Sequence, residues 1–407
     1  MTSKRSNKRY GLPLGLLVLC SAGPLHAQEG GGRTLTYGID SRITSHDNLD
    51  LNANNARNSV LSDTSLSFGI RNETPSGFLA LSSSVLLRET ISGSSDTKTG
   101  LINPAVNLSF GTSTVNSGIQ GGVFLRDTEL SSNDDVEDFD NDAGRRRSYG
   151  GDLSLHWGSD SRATYRVGIS SNASRFSSDA NENDRDSLSM NAGVGLDLTE
   201  IATLDLGVSS SRFDEDGEEE RTTNRLTTGL SFLQTSGSLG VSLGLTDTPD
   251  GNRTALSVTR SIELTNGSIE ARLGITRGIS GKNDPTGGLT YSHSLPNGSF
   301  SARFNHDVSS SSTSDREAKL TSAGMGISQE WSERSTISMD INYAKQDYSD
   351  SDSDIINTRA SLSISYALGE DWLADAGLRH VQRDRGDTTA SDNSVFIGIR
   401  KSFERSY

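Results

Sequence analysis

The stretch NSVFIGIRKSFERSY, residues 393–407, closes the sequence and decides the fold. Val395, Ile397, Ile399, Phe403 and Tyr407 fall on odd positions, and Gly398, Arg400, Ser402, Glu404 and Ser406 on even ones. Successive side chains of a strand point to opposite faces, so this strand has one apolar and one polar side. It runs out on an aromatic residue with neither cap nor turn behind it. A sheet in water seldom leaves so long a strand unpaired, because an open edge templates aggregation. A strand that closes a barrel through a bilayer meets no such difficulty: it pairs with the first strand and the edge disappears.

Working outward, the other end of the chain carries an export signal. Lys4, Arg5, Lys8 and Arg9 precede the nine-residue apolar run Gly11–Leu19, and Leu25-His26-Ala27 offers a small residue before Gln28. This pattern reads as a cleaved signal peptide over 1–27, leaving 28–407 as a single domain. The run is far shorter than the ~20 residues a membrane helix needs. A lipoprotein signal centred on Cys20 is the rival reading, and Leu19 stands where that signal wants a small residue. Cleavage after Ala27 leaves no cysteine, hence neither disulfides nor a thiol nucleophile. Losing the four basic residues also takes the net charge from −15 to −19, which argues against nucleic acid as a partner. Only 32% of residues are hydrophobic, against about half in ordinary globular chains. Disorder or a barrel that is wet inside would both fit, and periodicity separates them.

From Thr34 onward, segments of about ten residues alternate in polarity. TLTYGID (34–40) puts Leu35, Tyr37 and Ile39 on one face. SLSMNAGVGLDL (187–198) sets Leu188, Met190, Ala192, Val194, Leu196 and Leu198 against Ser189, Asn191, Gly193, Gly195 and Asp197. No 3.6-residue period survives for three turns, so the chain is all-β. Short turns fall at TPSG (74–77), TSGS (235–238), TNGS (265–268), PNGS (296–299) and similar sites. Asn-Gly is a hairpin signal because it supplies positive φ. Longer polar connections lie between them, at 42–58, 91–99, 127–146, 174–186, 212–222, 246–253, 281–287, 309–317, 347–355 and 384–393. Strict alternation of short and long is the pattern of a transmembrane antiparallel up-and-down β-barrel with short periplasmic turns and longer extracellular loops. Ten hairpins give about twenty strands, within a range of about eighteen to twenty-two.

Aromatics sort with this reading. Trp157, Phe232, Phe300, Trp331, Trp372 and Phe403 lie near short turns, and Phe124, Tyr149, Phe213 and Tyr343 near long connections, as two interfacial girdles would. The segment FIGIRKSFERSY resembles the final strand of bacterial outer-membrane barrels. The longer SLSISYALGEDWLADAGLRHVQRDRGDTTASDNSVFIGIRKSF (361–403) is similar to the last hairpins of the β-barrel porins of Gram-negative bacteria. The resemblance implies residence in the cell outer membrane among its lipid and lipopolysaccharide, and recognition of the last strand by the barrel assembly machinery. It implies an outer-membrane pore without naming a solute.

Candidates for chemistry are few. His293, His306 and His380 fall on the lipid-facing register, His156 points inward, and His46 lies in the first loop, so no histidine sits beside an acid and a nucleophile or has metal spacing. Gly240-Val-Ser242-Leu-Gly244 matches G-x-S-x-G, yet it lies on an alternating strand and not at a strand-to-helix elbow. No cofactor, metal site or catalytic residue is expected. Acidic clusters occupy 127–142, 214–220 and 350–354, and the first supplies constriction candidates Asp134, Asp135, Glu137, Asp138 and Asp140. The spacing from Asp138 to Gly144 is not that of an EF-hand. The polar face carries Arg225, Glu270, Arg272, Arg303, Asp340, Arg359, Asp375 and Arg379 as pore-lining candidates, with Glu263 and Arg383 beside them. Mixed charge among small neutral groups suits a water-filled lumen.

The expected function is passive or weakly selective diffusion of small hydrophilic solutes. A barrel serving surface polysaccharide export and a non-conducting surface binding scaffold are the alternatives. A TonB-dependent receptor is disfavoured, because few residues separate Gln28 from the first strand.

Overall fold

A computed structural model of the chain describes residues 32–93, 98–130, 144–177, 182–310, 317–348 and 354–407. The segment 1–27 read as a signal peptide lies outside them. Among the described residues there is no helix, and twenty strands form one antiparallel sheet. The first seven are β1 (Gly32–His46), β2 (Ser59–Thr74), β3 (Gly77–Gly93), β4 (Gly100–Ser113), β5 (Ser117–Leu130), β6 (Gly144–Trp157) and β7 (Ala163–Phe176). Next come β8 (Arg185–Thr199), β9 (Ala202–Glu215), β10 (Arg221–Gln234), β11 (Gly237–Thr248), β12 (Gly251–Leu264), β13 (Gly267–Arg277) and β14 (Asn283–Leu295). The last six are β15 (Gly298–Ser310), β16 (Glu317–Ser332), β17 (Ser335–Tyr348), β18 (Ile355–Ala367), β19 (Trp372–Arg385) and β20 (Thr388–Ser406).

Each strand pairs with its sequence neighbours, and β1 also pairs with β20, so the sheet closes. The seam runs from Thr34 opposite Ser406 to His46 opposite Ser394. Past it the backbones of Arg33 and Tyr407 exchange two hydrogen bonds, of 3.2 and 2.8 Å. The stretch NSVFIGIRKSFERSY is thus the closing strand, and no edge is left open.

The alternation carries through the seam. Tyr37 faces Phe403, Ile43 faces Ile397, and Ser41 faces Ile399 on one side of the sheet. Gly38 and Ser402, Asp40 and Arg400, and Arg42 and Gly398 share the other. Few apolar side chains are buried, and the large ones stand exposed on the outer wall: Leu273 is 75% exposed and Ile397 64%. The wall itself is the structural core.

Every predicted short turn is present, but the predicted long connections shrink. The 246–253 connection is residues 249–250 between β11 and β12, and 384–393 is residues 386–387 between β19 and β20. Strict alternation of short and long therefore fails at these two hairpins. The strands run from 11 to 19 residues, and all but β13 outrun the roughly 9–11 that cross a bilayer. Beyond the apolar band both faces are polar, so composition reads as loop where the hydrogen-bond ladder continues.

The Asn-Gly turns form without the positive φ expected of them, since neither Asn266-Gly267 nor Asn297-Gly298 is among the positive-φ residues. Those glycines serve close approach instead. A Cβ on Gly267 would lie 2.0 Å from the Ser292 carbonyl oxygen, and one on Gly298 2.2 Å from that of Ser328. Two members of the loop-side girdle are also displaced. Phe124, opposite Asn107 and Gly150, and Phe213, opposite Ser187 and Arg221, lie on the polar register. Tyr149 and Tyr343 keep the outer one.

At the short-turn end the girdle is knit together. Trp157 stacks on Tyr165 at 5.3 Å, Tyr37 meets Phe68 at 5.4 Å, and Tyr291 meets Phe300 at 5.8 Å. The Lys401 ammonium lies over both Trp372 and Phe403.

Candidate functional site

Polar side chains on one face of a closed sheet converge, and their reach identifies that face as the inner one. Arg42 on β1 bonds Asp375 on β19 at 3.0 Å, passing over β20. Arg272 on β13 bonds Asp307 on β15 at 2.6 Å over β14, and Arg166 on β7 bonds Asp205 on β9 at 3.1 Å over β8. Arg303 on β15 reaches Asn342 on β17 at 3.2 Å over β16. Second-neighbour strands are roughly 9–10 Å apart, a span long side chains bridge most readily on the concave side.

The strand passed over supplies a glycine floor. A Cβ on Gly398 would come to 3.0 Å from Asp375 Oδ1, and one on Gly324 to 2.8 Å from both Arg303 Nε and Asn342 Oδ1.

All eight pore-lining candidates fall on this inner register. They form no single cluster. Arg225, Glu270 and Arg272 belong to the β10–β13 wall, and Arg303, Asp340, Arg359, Asp375 and Arg379 to the β15–β19 wall. Asp375 is buried against Arg42, whose guanidinium also stacks 4.5 Å from the Phe396 ring. Glu270 and Asp340 are exposed to the lumen. Arg359 and Arg379 are half-buried, each with a partner of its own. Arg225 makes no ion pair or hydrogen bond among the described residues, and its Nη2 lies 3.8 Å from the Cβ position of Gly244. Between the charges run small hydroxyls such as Ser209, Thr227, Ser242 and Ser257. The strand lysines Lys319, Lys345 and Lys401 all fall on the opposite register.

Sequence reading missed Arg42, His46, Arg253 and Asp307. Sequence reading places the first three in loops, although each continues the parity of its strand. His46 is not a loop residue: it ends β1, and its Nδ1 lies 2.8 Å from Asp392 Oδ2. Asp392 also accepts the Asn48 amide at 3.0 Å, and the Asn48 side chain donates to the Ser391 carbonyl. The 47–58 connection thereby packs its buried Asn48 and Leu49 at the rim of β20.

The constriction candidates Asp134, Asp135, Glu137, Asp138 and Asp140 lie outside the described residues. In the 214–220 cluster the acids meet arginines, Arg212 with Glu220 and Arg221 with Glu218. Among the described residues no three His, Cys, Asp or Glu side chains could hold a metal ion together. His306 bonds Thr321 and His380 bonds Asn393, each at 2.8 Å and on the outer register. Ser242 of the G-x-S-x-G match pairs with Ser257 at 2.8 Å in mid-strand.

No protein-family model matches the sequence, and no curated protein sequence does. Solved structures match in fold. The ferric-catecholate import receptor Fiu from E. coli K12 aligns over 92% of this chain and 82% of its own, with a TM-score of 0.54 and 8% identity. The siderophore receptor PirA from Pseudomonas aeruginosa aligns over 90% and 80%, with a TM-score of 0.50 and 11% identity. The copper transporter OprC aligns over 90% and 80%, with a TM-score of 0.50 and 10% identity. At such identities the likeness establishes a large closed β-barrel. The porin resemblance is not carried to the level of a family.

Proposed function

We propose that the chain is an outer-membrane channel through which small hydrophilic solutes diffuse, with selectivity set by the charges of its wall. The observation that carries this reading is the sorting of the two faces. The outer wall presents a continuous belt of exposed Leu, Ile, Val and aromatic side chains, far beyond what a monomer tolerates in water. The inner wall presents hydroxyls, glycines, arginines and carboxylates. A closed barrel satisfies its backbone internally, as hydrocarbon demands. Barrels of about 16–18 strands leave an aqueous channel and those of about 22 hold a plug, so twenty strands enclose room for one. The receptors and the metal transporter among the fold neighbours support traffic across an outer membrane as the setting.

Those neighbours also favour a second reading, in which solute binds in the barrel before passage. Single-channel recording in planar bilayers tests the first. The refolded chain is expected to give stable open-state conductance steps. A correctly folded barrel that stays silent sinks the diffusion channel.

A further inference from the structure

The charges of the inner wall sort by depth. Each strand has one half nearer a short turn and one half nearer the opposite, loop end of the barrel. Asp152, Glu263, Glu270, Glu330, Asp340 and Glu404 all fall on the inner register, in the short-turn halves of their strands. They are exposed to the lumen and make no ion pair among the described residues. Arg126, Arg146 and Arg225 are inner arginines equally without an ion pair among the described residues, and all fall in the loop-end halves. One line of paired residues from β12 to β17 shows the short-turn end at its plainest. It runs Glu263, Ser268, Ser292, Ser301, Gly326 and Asp340, with a carboxylate at each end and nothing cationic between.

Charges that break the sorting stand across from an opposite one. Arg400, in the short-turn half of β20, lies opposite Asp40. Arg303 lies across Thr290 from Glu270 and is bonded to the neutral Asn342. Glu215, at the loop end of β9, lies opposite Arg185. Ion pairs such as Arg71 with Glu73, Arg166 with Asp205 and Arg272 with Asp307 cancel largely in place. What remains is negative toward the short turns and positive toward the loop end. Exposed charges act over about 10 Å at 0.1 M salt and about 30 Å at 0.01 M. A low-dielectric wall focuses their field into the water it encloses.

We infer that the lumen is electrically polarised along its axis, negative toward the short turns and positive toward the loop end, so that it passes current unequally in the two directions. The inference deepens the channel reading and rests on it for its role in transport, though the polarity can be read from a folded barrel without conductance. In dilute salt cations gather in the short-turn half and anions in the loop-end half. A voltage positive on the short-turn side drives each kind toward the other's half and fills the lumen with carriers. The reverse voltage empties it. Charged solutes meet the same sorting: an anion is drawn in at the loop end and resisted at the short-turn mouth, and a cation the converse.

Two thiols read the polarity chemically in the detergent-refolded full chain carrying Cys20→Ser. Ser292→Cys stands in the line between Glu263 and Asp340, and Ser148→Cys lies opposite Arg126 with Arg146 next on the same face of β6. Each is modified with a cationic and an anionic methanethiosulfonate of similar size, and circular dichroism confirms that each variant is folded. At ~0.01 M salt the cation-to-anion rate ratio is expected to be about tenfold higher at Ser292→Cys than at Ser148→Cys, and the difference to collapse at ~1 M. Adding Glu263→Gln with Asp340→Asn should lower the ratio at Ser292→Cys and leave that at Ser148→Cys unchanged. Equal ratios at the two sites, or a difference that survives both the salt and the replacements, overturns the polarity. Single-channel current is recorded in dilute salt on the same barrels. A conducting barrel with equal thiol ratios sinks the polarity alone, and a silent barrel whose thiols still sort sinks the channel alone.

Discussion

At the rim of the lumen Asp392 is 1% exposed, and what surrounds it explains how a charge survives there. His46 Nδ1 and the Asn48 amide reach its two oxygens at 2.8 and 3.0 Å, so the carboxylate exchanges water for fixed partners. Removing one partner of a buried polar pair costs the full desolvation of the other. Asp392→Asn, which turns one acceptor into a donor, is therefore expected to lower unfolding stability by about 1–3 kcal/mol. Asp354, beside Lys345 at 2.5 Å, is the contrasting case. The lysine's hydrogen bond holds the Asp354 carboxyl below its ordinary value, so its small contribution is complete above the usual carboxylate range. That contribution is lost as pH falls through the lowered value. Being exposed, it is screened, and Asp354→Asn is expected to cost less than ~1 kcal/mol. Urea unfolding of both variants at neutral pH compares them, and equal losses would refute the distinction. Arg225 and Asp375 were legible in the sequence because parity alone assigns a face. The pairing of Asp392 with His46 was not, because it joins residues at opposite ends of the chain.

Among the elements, the strands were legible wherever one face is apolar, and their ends were not. Arg253 shows why. It continues the alternation of β12, but its neighbours are polar on both faces, so its stretch read as loop. Arg42 was lost from β1 in the same way. The hairpin turns teach a different lesson. Asn266-Gly267 marked a turn correctly while the stated reason, positive φ, was absent. What the site requires is a missing Cβ, because Gly267 sits against the backbone of Ser292 and His293 on β14. The two explanations predict different mutants. Asn266→Ala should be nearly neutral, whereas Gly267→Val must push β14 away or distort the turn, a change of the overpacking kind worth about 1–3 kcal/mol. Denaturant midpoints of the two variants decide. A larger loss in Asn266→Ala would restore the φ explanation.

For the molecule as a whole, closure between β1 and β20 is the property on which the rest depends. Without it the outer belt and the lumen lose their meaning, since a sheet that stays open has an edge and no inside. Alternation along NSVFIGIRKSFERSY suggested closure on the first strand, but it could not say in what register, because register is a property of two sequences. The register now specifies it. Thr36 lies opposite Glu404, both on the inner face, and the sequence after Cys20 contains no cysteine. Opposed residues of an antiparallel pair have Cα atoms about 4.5–5.5 Å apart, inside the range a disulfide spans. A barrel lacking residues 1–27 and carrying Thr36→Cys with Glu404→Cys is expected to form an internal disulfide under mild oxidation, read by a gel shift that reductant reverses. Glu404 moved one place along, as Thr36→Cys with Phe403→Cys, should cross-link poorly, because those side chains stand on opposite faces of the wall. Equal yields from the two pairs would mean that the seam slides or stays open. The lumen and its arginines would then have no wall to stand on.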